Sequence, residues 1–337
     1  MGSRVSRQTW NFTEDVRIQA SATVVGPMEG EGPLGAFFDK VHDDLYAGQD
    51  SWELAERQLM EDAVRMALAK ASLAEQEIDV LLAGDLLNQN ITANFTAEML
   101  TIPLMGMFGA CSASMLTLAN AAALVNAGYA RRAVAACSSH NATAERQYRY
   151  PTEYGGQKPP SAQWTVTGAG AAVVGLGGNG PRITYATIGK VIDMGIKDPF
   201  NMGAAMAPAA VSTLKTHFED LHRTPQDYDL IVTGDLAAVG YAITKDLMKT
   251  EGYDMDKVYN DCGLMIYSPD QEVFSGASGC ACSAAVTYSY IINQLNKGLM
   301  KKVLVCATGA LLSPVSYQQG NSIPCIAHAV ALEGGQM

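Results

Sequence analysis

The sequence is short of positive charge. Lys and Arg number 23 against 34 Asp and Glu, leaving a formal net charge of −11. No basic stripe is available to neutralise phosphates, which excludes nucleic acid as a partner, and no polybasic cluster would hold the chain to anionic lipid. Charge of either sign is missing between Met99 and Ala130. Such a stretch invites a transmembrane reading, but Pro103, Gly106, Gly109, Asn120 and Asn126 interrupt it and Ala and Ser fill it. A helix buried in a soluble core is the better account. The N-terminus, "MGSRVSRQTWNFTEDV", has arginines but no apolar core behind them, so it does not read as a signal peptide. It matches the short myristoylation pattern at Gly2 and Ser6.

A disulfide framework is also missing. The seven cysteines are odd in number and lack secreted-scaffold spacing. Cys137 and Cys306 stand in apolar, strand-like runs, where Cys behaves as a small hydrophobe. "GCAC" at 279–282 has no second Cys/His pair at zinc spacing. A reduced protein without metal or cofactor is expected. "GLGGNG" (175–180) satisfies the glycine pattern of a dinucleotide loop, but Pro181 and the strand-like "RITYATIG" follow where a helix is required. A tight turn is the expectation there.

What the chain does have is a long internal repeat. "DVLLAGDL" (79–86) recurs as "DLIVTGDL" (229–236), and "GACSASMLTLANAAALVNAGYARRAVAA" (109–136) recurs as "GCACSAAVTYSYIINQLNKGLMKKVLVC" (279–306). Each copy has the order helix, strand, a further element, buried helix, strand. This indicates a duplicated α/β domain with halves at 1–180 and 181–337. The sheets are expected to be largely parallel and covered on both faces. Gly128 and Gly298 suit left-handed C-terminal caps, and the basic pairs Arg131-Arg132 and Lys301-Lys302 fall near the helices' negative ends.

Chemistry centres on "FGACSASM" (108–115), where Cys111 stands at the turn into a buried helix. Unpaired N–H groups and the positive helix end favour a thiolate there. Buried Cys is equally common as inert packing, so both readings stand at this point. Asp85 and Asp235 hold equivalent places after their strands, and capping the next element is the plainer role for both. Among the histidines, His217 and His222 are expected to face solvent, and His42 sits beside Asp43 and Asp44 in a loop. His140 lies just past a strand end, where site residues gather. His328 lies in the C-terminal strand near Cys325, with pocket-lining and buried-structural roles both open.

A duplicated α/β chain with a Cys opening the buried helix of its first half resembles the thiolase and ketoacyl-synthase superfamily. "TVTGAGAAVVGL" (165–176) is similar to the Gly/Ala-rich strand those enzymes carry after the nucleophile. The resemblance implies layered α-β-α-β-α halves and a homodimer. More closely, "AGDLLNQNITAN" (83–94), "SSHNATAERQYRYPTEYGGQKP" (138–159), "NDCGLMIYSPDQ" (260–271) and "SGASGCACSA" (275–284) are similar to the stage V sporulation protein AD family of spore-forming bacteria. So are "CATGALLSP" (306–314) and "SIPCIAHAVALE" (322–333). That likeness implies a protein that binds dipicolinic acid and supports its uptake into developing spores. It also implies other stage V sporulation A-operon proteins as partners, through which a soluble chain would attach peripherally to the forespore or spore inner membrane. Calcium as a companion of the ligand stays open; no EF-hand loop is present.

Superfamily enzymes complement the Cys with a His and a second His or Asn from loops of the second half. The corresponding stretches, "GDLAAVGY" (234–241) and "FSGASGCACSA" (274–284), contain neither. Cys111 therefore reads as the floor of a binding pocket and a former nucleophile, with an active acyltransferase through Cys111 as the alternative. The amides at 111–113 are expected to face the ligand's carboxylates. The candidate ligand-binding residues are Cys111, Ser112, His140, Arg146, Ser278, Gly279 and His328, with Arg149 as a further source of charge.

Overall fold

The computed structural model describes residues 3–148 and 157–335. Gly2 and Arg149 lie outside the described residues. The first half runs β1 (Val16–Val25), α1 (Trp52–Ala71), β2 (Val80–Gly84), α2 (Ile91–Leu100), β3 (Leu104–Gly106), α3 (Ala113–Asn126), β4 (Arg132–Ser139), α4 (Asn141–Tyr148) and β5 (Gly168–Leu176). The second runs β6 (Arg182–Ile188), α5 (Met202–Leu221), β7 (Leu230–Thr233), α6 (Ala237–Thr250), β8 (Tyr259–Asp261) and α7 (Cys280–Val286). A π-helical turn at Thr287–Ile291 carries α7 into α8 (Ile292–Asn296), and β9 (Lys302–Ala310) and β10 (Cys325–Glu333) complete it. Ser51 opens α1 as its sequence suggests, its hydroxyl accepting from the Leu54 amide at 3.3 Å.

The strands join in the order β8-β7-β9-β10-β6-β1-β5-β4-β2-β3, which reads the same outward from the centre in either direction. β6 and β1 meet there at a single residue pair, Arg182 opposite Arg17. In each half the outer three strands are parallel and the inner ones antiparallel. The expectation of largely parallel sheets is thus corrected to mixed ones. Parallel neighbours need a full crossover. Among the described residues the helices in the links from β4 to β5 and from β9 to β10 are short (Asn141–Tyr148 and Pro314–Gln318), and the chain turns back.

The layers follow from which helices are apolar all round. α3 and α7 are buried along their length and pack between the halves, touching strands of both. α1 covers β1, β4 and β5 from outside, and α5 covers β9 and β10. The charge-free stretch 99–130 resolves into the end of α2, β3 and the 14-residue α3. Among the described residues no helix is long and apolar enough to cross a membrane. Residues 177–180 form a turn between β5 and β6, with no helix following.

The duplication extends to individual hydrogen bonds. After α3 the Gly128 amide donates to Val125 O at 3.1 Å and Tyr129 N to Leu124 O at 3.0 Å. After α8, Gly298 N donates to Leu295 O at 3.1 Å and Leu299 N to Gln294 O at 3.0 Å. Both glycines are left-handed, at φ 78° and 69°. Asp79 then accepts the amides of Arg131 and Arg132 (2.6 and 3.2 Å), and Asp229 those of Lys301 and Lys302 (2.6 and 2.9 Å). The basic pairs therefore act through their backbone. Their side chains reach Glu77 (from Arg132) and Glu333 (from Lys302), not the helix ends.

Because the two caps are alike, Gly128→Ala and Gly298→Ala are expected to cost the same, roughly 1 kcal/mol each, as an alanine is forced left-handed. At Gly128 a methyl group would meet nothing within 4 Å, so the cost there is backbone alone. Urea unfolding of the two variants measures it; a clear inequality would contradict the equivalence.

Candidate functional site

Cys111 sits in a tight turn, Ala110–Ser112, that leads into α3. The turn is strained: Ala110 is left-handed at φ 48°, a conformation costly for a residue with a Cβ and typical of functional sites. Two bonds hold it, Ser112 N to Gly109 O at 3.0 Å and Ala113 N to Ala110 O. These bonds correct one expectation, since the amides of 112 and 113 are spent inside the turn and do not face a ligand. The Ser112 hydroxyl turns back as well, donating to Gly109 O at 2.6 Å.

Against this turn the second half places Asp235. Its Oδ1 accepts from Thr308 Oγ1 at 2.6 Å on β9, and its Oδ2 accepts from Gly279 N at 3.0 Å and Ser278 Oγ at 3.4 Å. The Cys111 thiol lies beside the same carboxylate, close enough for each group to shift the other's titration. Gly279 takes φ 99°, and a Cβ there would lie 2.6 Å from Ser139 Oγ, so only glycine lets this amide approach Asp235. Sequence reasoning treated Asp85 and Asp235 alike as caps. Asp85 does cap, accepting from Leu87 N at 2.8 Å and Ala93 N at 2.9 Å. Asp235 does not, because Asp261 takes the Leu236 and Ala237 amides, each at 2.9 Å. Freed of that role, Asp235 points inward to Cys111.

Burial raises the Cys111 thiol well above its ordinary range, and the neighbouring Asp235 charge raises it further. Asp235 is itself pushed up to about 6, mainly by burial, while the donors around it oppose the shift. The pair is therefore a neutral thiol on a buried acid. Imidazole–thiol activation works in the reverse sense, by placing positive charge beside sulfur.

A pocket opens above Cys111, lined by Leu86, Ala110, Ala144, Tyr148, Thr165, Met202, Ser278, Ala310 and Leu312. Its volume is about 40 Å³, a few water molecules at most. A larger guest must push lining side chains aside. No charged residue is among those lining it. The Tyr148 hydroxyl is bonded to Leu86 O, closing one side.

Of the residues singled out by sequence, Cys111, Ser278 and Gly279 come together here. His140 and His328 do not. His140 is buried outside the pocket lining, its Nε2 2.8 Å from Leu45 O and its Nδ1 accepting from Ala142 N at 3.1 Å, so it pins a loop and starts α4. His328 Nδ1 accepts from Gly189 N at 3.3 Å, and burial lowers its pKa to about 4. Burial also lowers His140, so neither ring supplies charge near neutrality. Arg146 lies over the Trp52 ring at 5.3 Å and pairs with Glu53, away from the pocket lining. His217, expected in solvent, is buried between Thr187 Oγ1 (2.8 Å) and Tyr228 OH (2.6 Å). Sequence reasoning missed Asp235, Thr308, Tyr148 and Met202 as site residues. The one available signal was Asp261, a second acid able to cap the turn after β7.

With this geometry in view, comparison with known proteins is decisive on family. The family model for stage V sporulation protein AD matches residues 6–333. The chain belongs to that family. Stage V sporulation protein AD of Bacillus subtilis (strain 168) is 59% identical over 327 residues, covering 97% of each chain. Solved structures share the fold at far lower identity. 3-Oxoacyl-[acyl-carrier-protein] synthase III from Aquifex aeolicus VF5 has a TM-score of 0.57 at 15% identity, over 94% of this chain and 99% of that one. A variant of OleA from Xanthomonas campestris reaches 0.62 at 15%, over 97% and 100%. Human mitochondrial 3-ketoacyl-CoA thiolase reaches 0.59 at 12%, over 97% and 99%. The family thus has a thiolase-like fold, a mixed α/β sheet covered by helices on both sides.

Buried acids give this chain an unusual pH dependence. Glu29 and Asp261 are pushed up to about 7 and Asp235 to about 6, chiefly by burial. An acid with a raised folded pKa binds its proton more tightly folded than unfolded, so its contribution to stability is lost as pH rises through that window. Melting temperature is expected to fall between about pH 6 and pH 8; below that range the buried His217 and His328, lowered to about 3 and about 4, act in the opposite sense. Asp235→Asn should flatten the lower part of the curve, and an unchanged profile would contradict the assignment.

Proposed function

We propose that this chain is a non-catalytic, thiolase-fold receptor for dipicolinic acid that supports the acid's uptake into developing spores. Family membership supplies the biological setting. The observation that carries the non-catalytic part is the contact between Cys111 and Asp235. A carboxylate beside the sulfur opposes the thiolate that acyl transfer requires, and no imidazole lines the pocket among the described residues. The apolar walls, with Tyr148, Met202 and Leu312, suit a flat aromatic ring once they part to admit it. Polar groups at the floor, Cys111 and Ser278, give orientation. The uncharged lining favours a ligand whose charge is compensated, by calcium accompanying it or by a cation brought to the pocket.

The chain works in this reading as a homodimer at the forespore or spore inner membrane, held there by other stage V sporulation A-operon proteins. An exposed apolar face supports self-association: Ile91, Phe95 and Met99 on α2, Met105 on the sheet's edge strand β3, and Phe108 beyond it. Unpaired edge strands flanked by large apolar side chains are natural pairing surfaces. Met105→Asp is expected to shift the protein to monomer in sedimentation equilibrium; a wild-type monomer would overturn the dimer.

The strained Ala110 turn favours the alternative, an acyltransferase using Cys111. Calorimetric titration of dipicolinate and of acyl-CoA into wild type and Cys111→Ala separates the two. Dipicolinate should bind both proteins with measurable heat, and acyl-CoA should leave the intact mass of wild type unchanged. An acyl adduct on Cys111 would replace this reading with the alternative.

A further inference from the structure

The pocket lining holds no charge, and the half-buried Lys158 is held by residues next in sequence to those that line it. Lys158 Nζ lies 2.8 Å from Glu145 Oε1, with side-chain exposures of only 15% and 7%. It also stands 5.3 Å from the Trp164 ring centre and 5.8 Å from that of Phe274. Each of these partners neighbours a pocket-lining residue along the chain, with Trp164 on the opposite face of its strand from Thr165. Glu145 follows the pocket-lining Ala144 on α4 and precedes Tyr148 by one turn; Trp164 precedes the pocket-lining Thr165. Phe274 lies four residues before the pocket-lining Ser278, and its backbone is left-handed at φ 60°.

Withdrawing such a pair from water is expensive, and an apolar pair of equal volume often serves stability as well. Lysine also differs from arginine here. It is a point charge on a flexible four-carbon stem, able to change partner without a fixed fork geometry. Aromatic faces hold it between partners without supplying a competing negative charge.

We infer that Lys158 is the specificity-determining cation of the pocket, moving from Glu145 to a ligand carboxylate when an aromatic dicarboxylic acid enters. This rests on the dipicolinate reading above and names the group that recognises the ligand's second carboxylate. Cys111 and Ser278 orient one end of the ligand at the floor, and Lys158 meets the other end at the wall formed by α4 and the 164–165 strand. Glu145 serves as the resting partner, so the lysine is paired in both states; the exchange takes this cation from the Glu145 carboxylate, a cost the ligand's contacts must offset.

The test compares dipicolinate with picolinate, which lacks one carboxylate, by calorimetry on the full chain. Wild type is expected to prefer dipicolinate. Lys158→Gln should weaken dipicolinate roughly 10- to 100-fold, the scale of a lost charged hydrogen bond, while barely changing picolinate. Lys158→Arg should restore the preference only in part, because the rigid guanidinium fork changes partner less freely. Glu145→Gln should tighten dipicolinate binding by releasing the lysine, whereas a merely structural ion pair predicts weaker binding. A preference unchanged in Lys158→Gln, or weaker binding in Glu145→Gln, overturns the assignment while the receptor reading stands. Failure of wild type to bind either acid overturns the receptor reading and this one with it.

Discussion

Asp235 is the buried charge around which the two halves meet. Its carboxylate collects the Thr308 hydroxyl from β9, the Gly279 amide at the head of α7 and Ser278, and it lies beside the Cys111 thiol across the interface between halves. An acid so deep in the molecule is tolerated only because donors from several elements converge on it. Those donors must then stay in place. The left-handed Gly279 and the head of α7 are fixed by the need to satisfy one group.

That arrangement breaks the symmetry the duplication otherwise keeps. Caps after α3 and α8, the Asp79 and Asp229 brackets and the strand order repeat almost bond for bond. Asp85 and Asp235 also repeat as residues but not as roles. In the first half the acid caps the turn after its strand; in the second, Asp261 has taken the capping work and released Asp235 to the pocket. The shared fold supplied two equivalent positions. One was kept for structure, and the other sets the chemistry of Cys111.

The same logic underlies the proposal that this thiolase-like fold serves as a receptor. Sulfur chemistry depends on the sign of the nearest charge more than on the backbone that presents the sulfur. The strained turn and buried helix are present, but the neighbouring charge is negative. The pocket walls are apolar and close-packed, and the cation best placed to read a carboxylate is held on the far side of α4. Recognition would then arise from rearranging an existing ion pair, with little new charge exposed.

By itself, the sequence determined the duplicated α/β class, the family, Cys111 at the helix entry, the glycine caps and the turn at 175–180. All of these are local patterns or repeats, carried by residues close in the chain. Tertiary structure decided what depends on contacts between distant segments. Asp235 meets Cys111 across 124 positions in the numbering, and Lys158 finds Glu145, Trp164 and Phe274 from three separate elements. It also removed His140, His328 and Arg146 from the pocket lining, because a polar side chain can turn to a loop carbonyl, a backbone amide or a surface acid as readily as to a ligand. Hydrophobic periodicity records which face is buried. It does not record which buried polar group faces which, and that pairing is what makes the site.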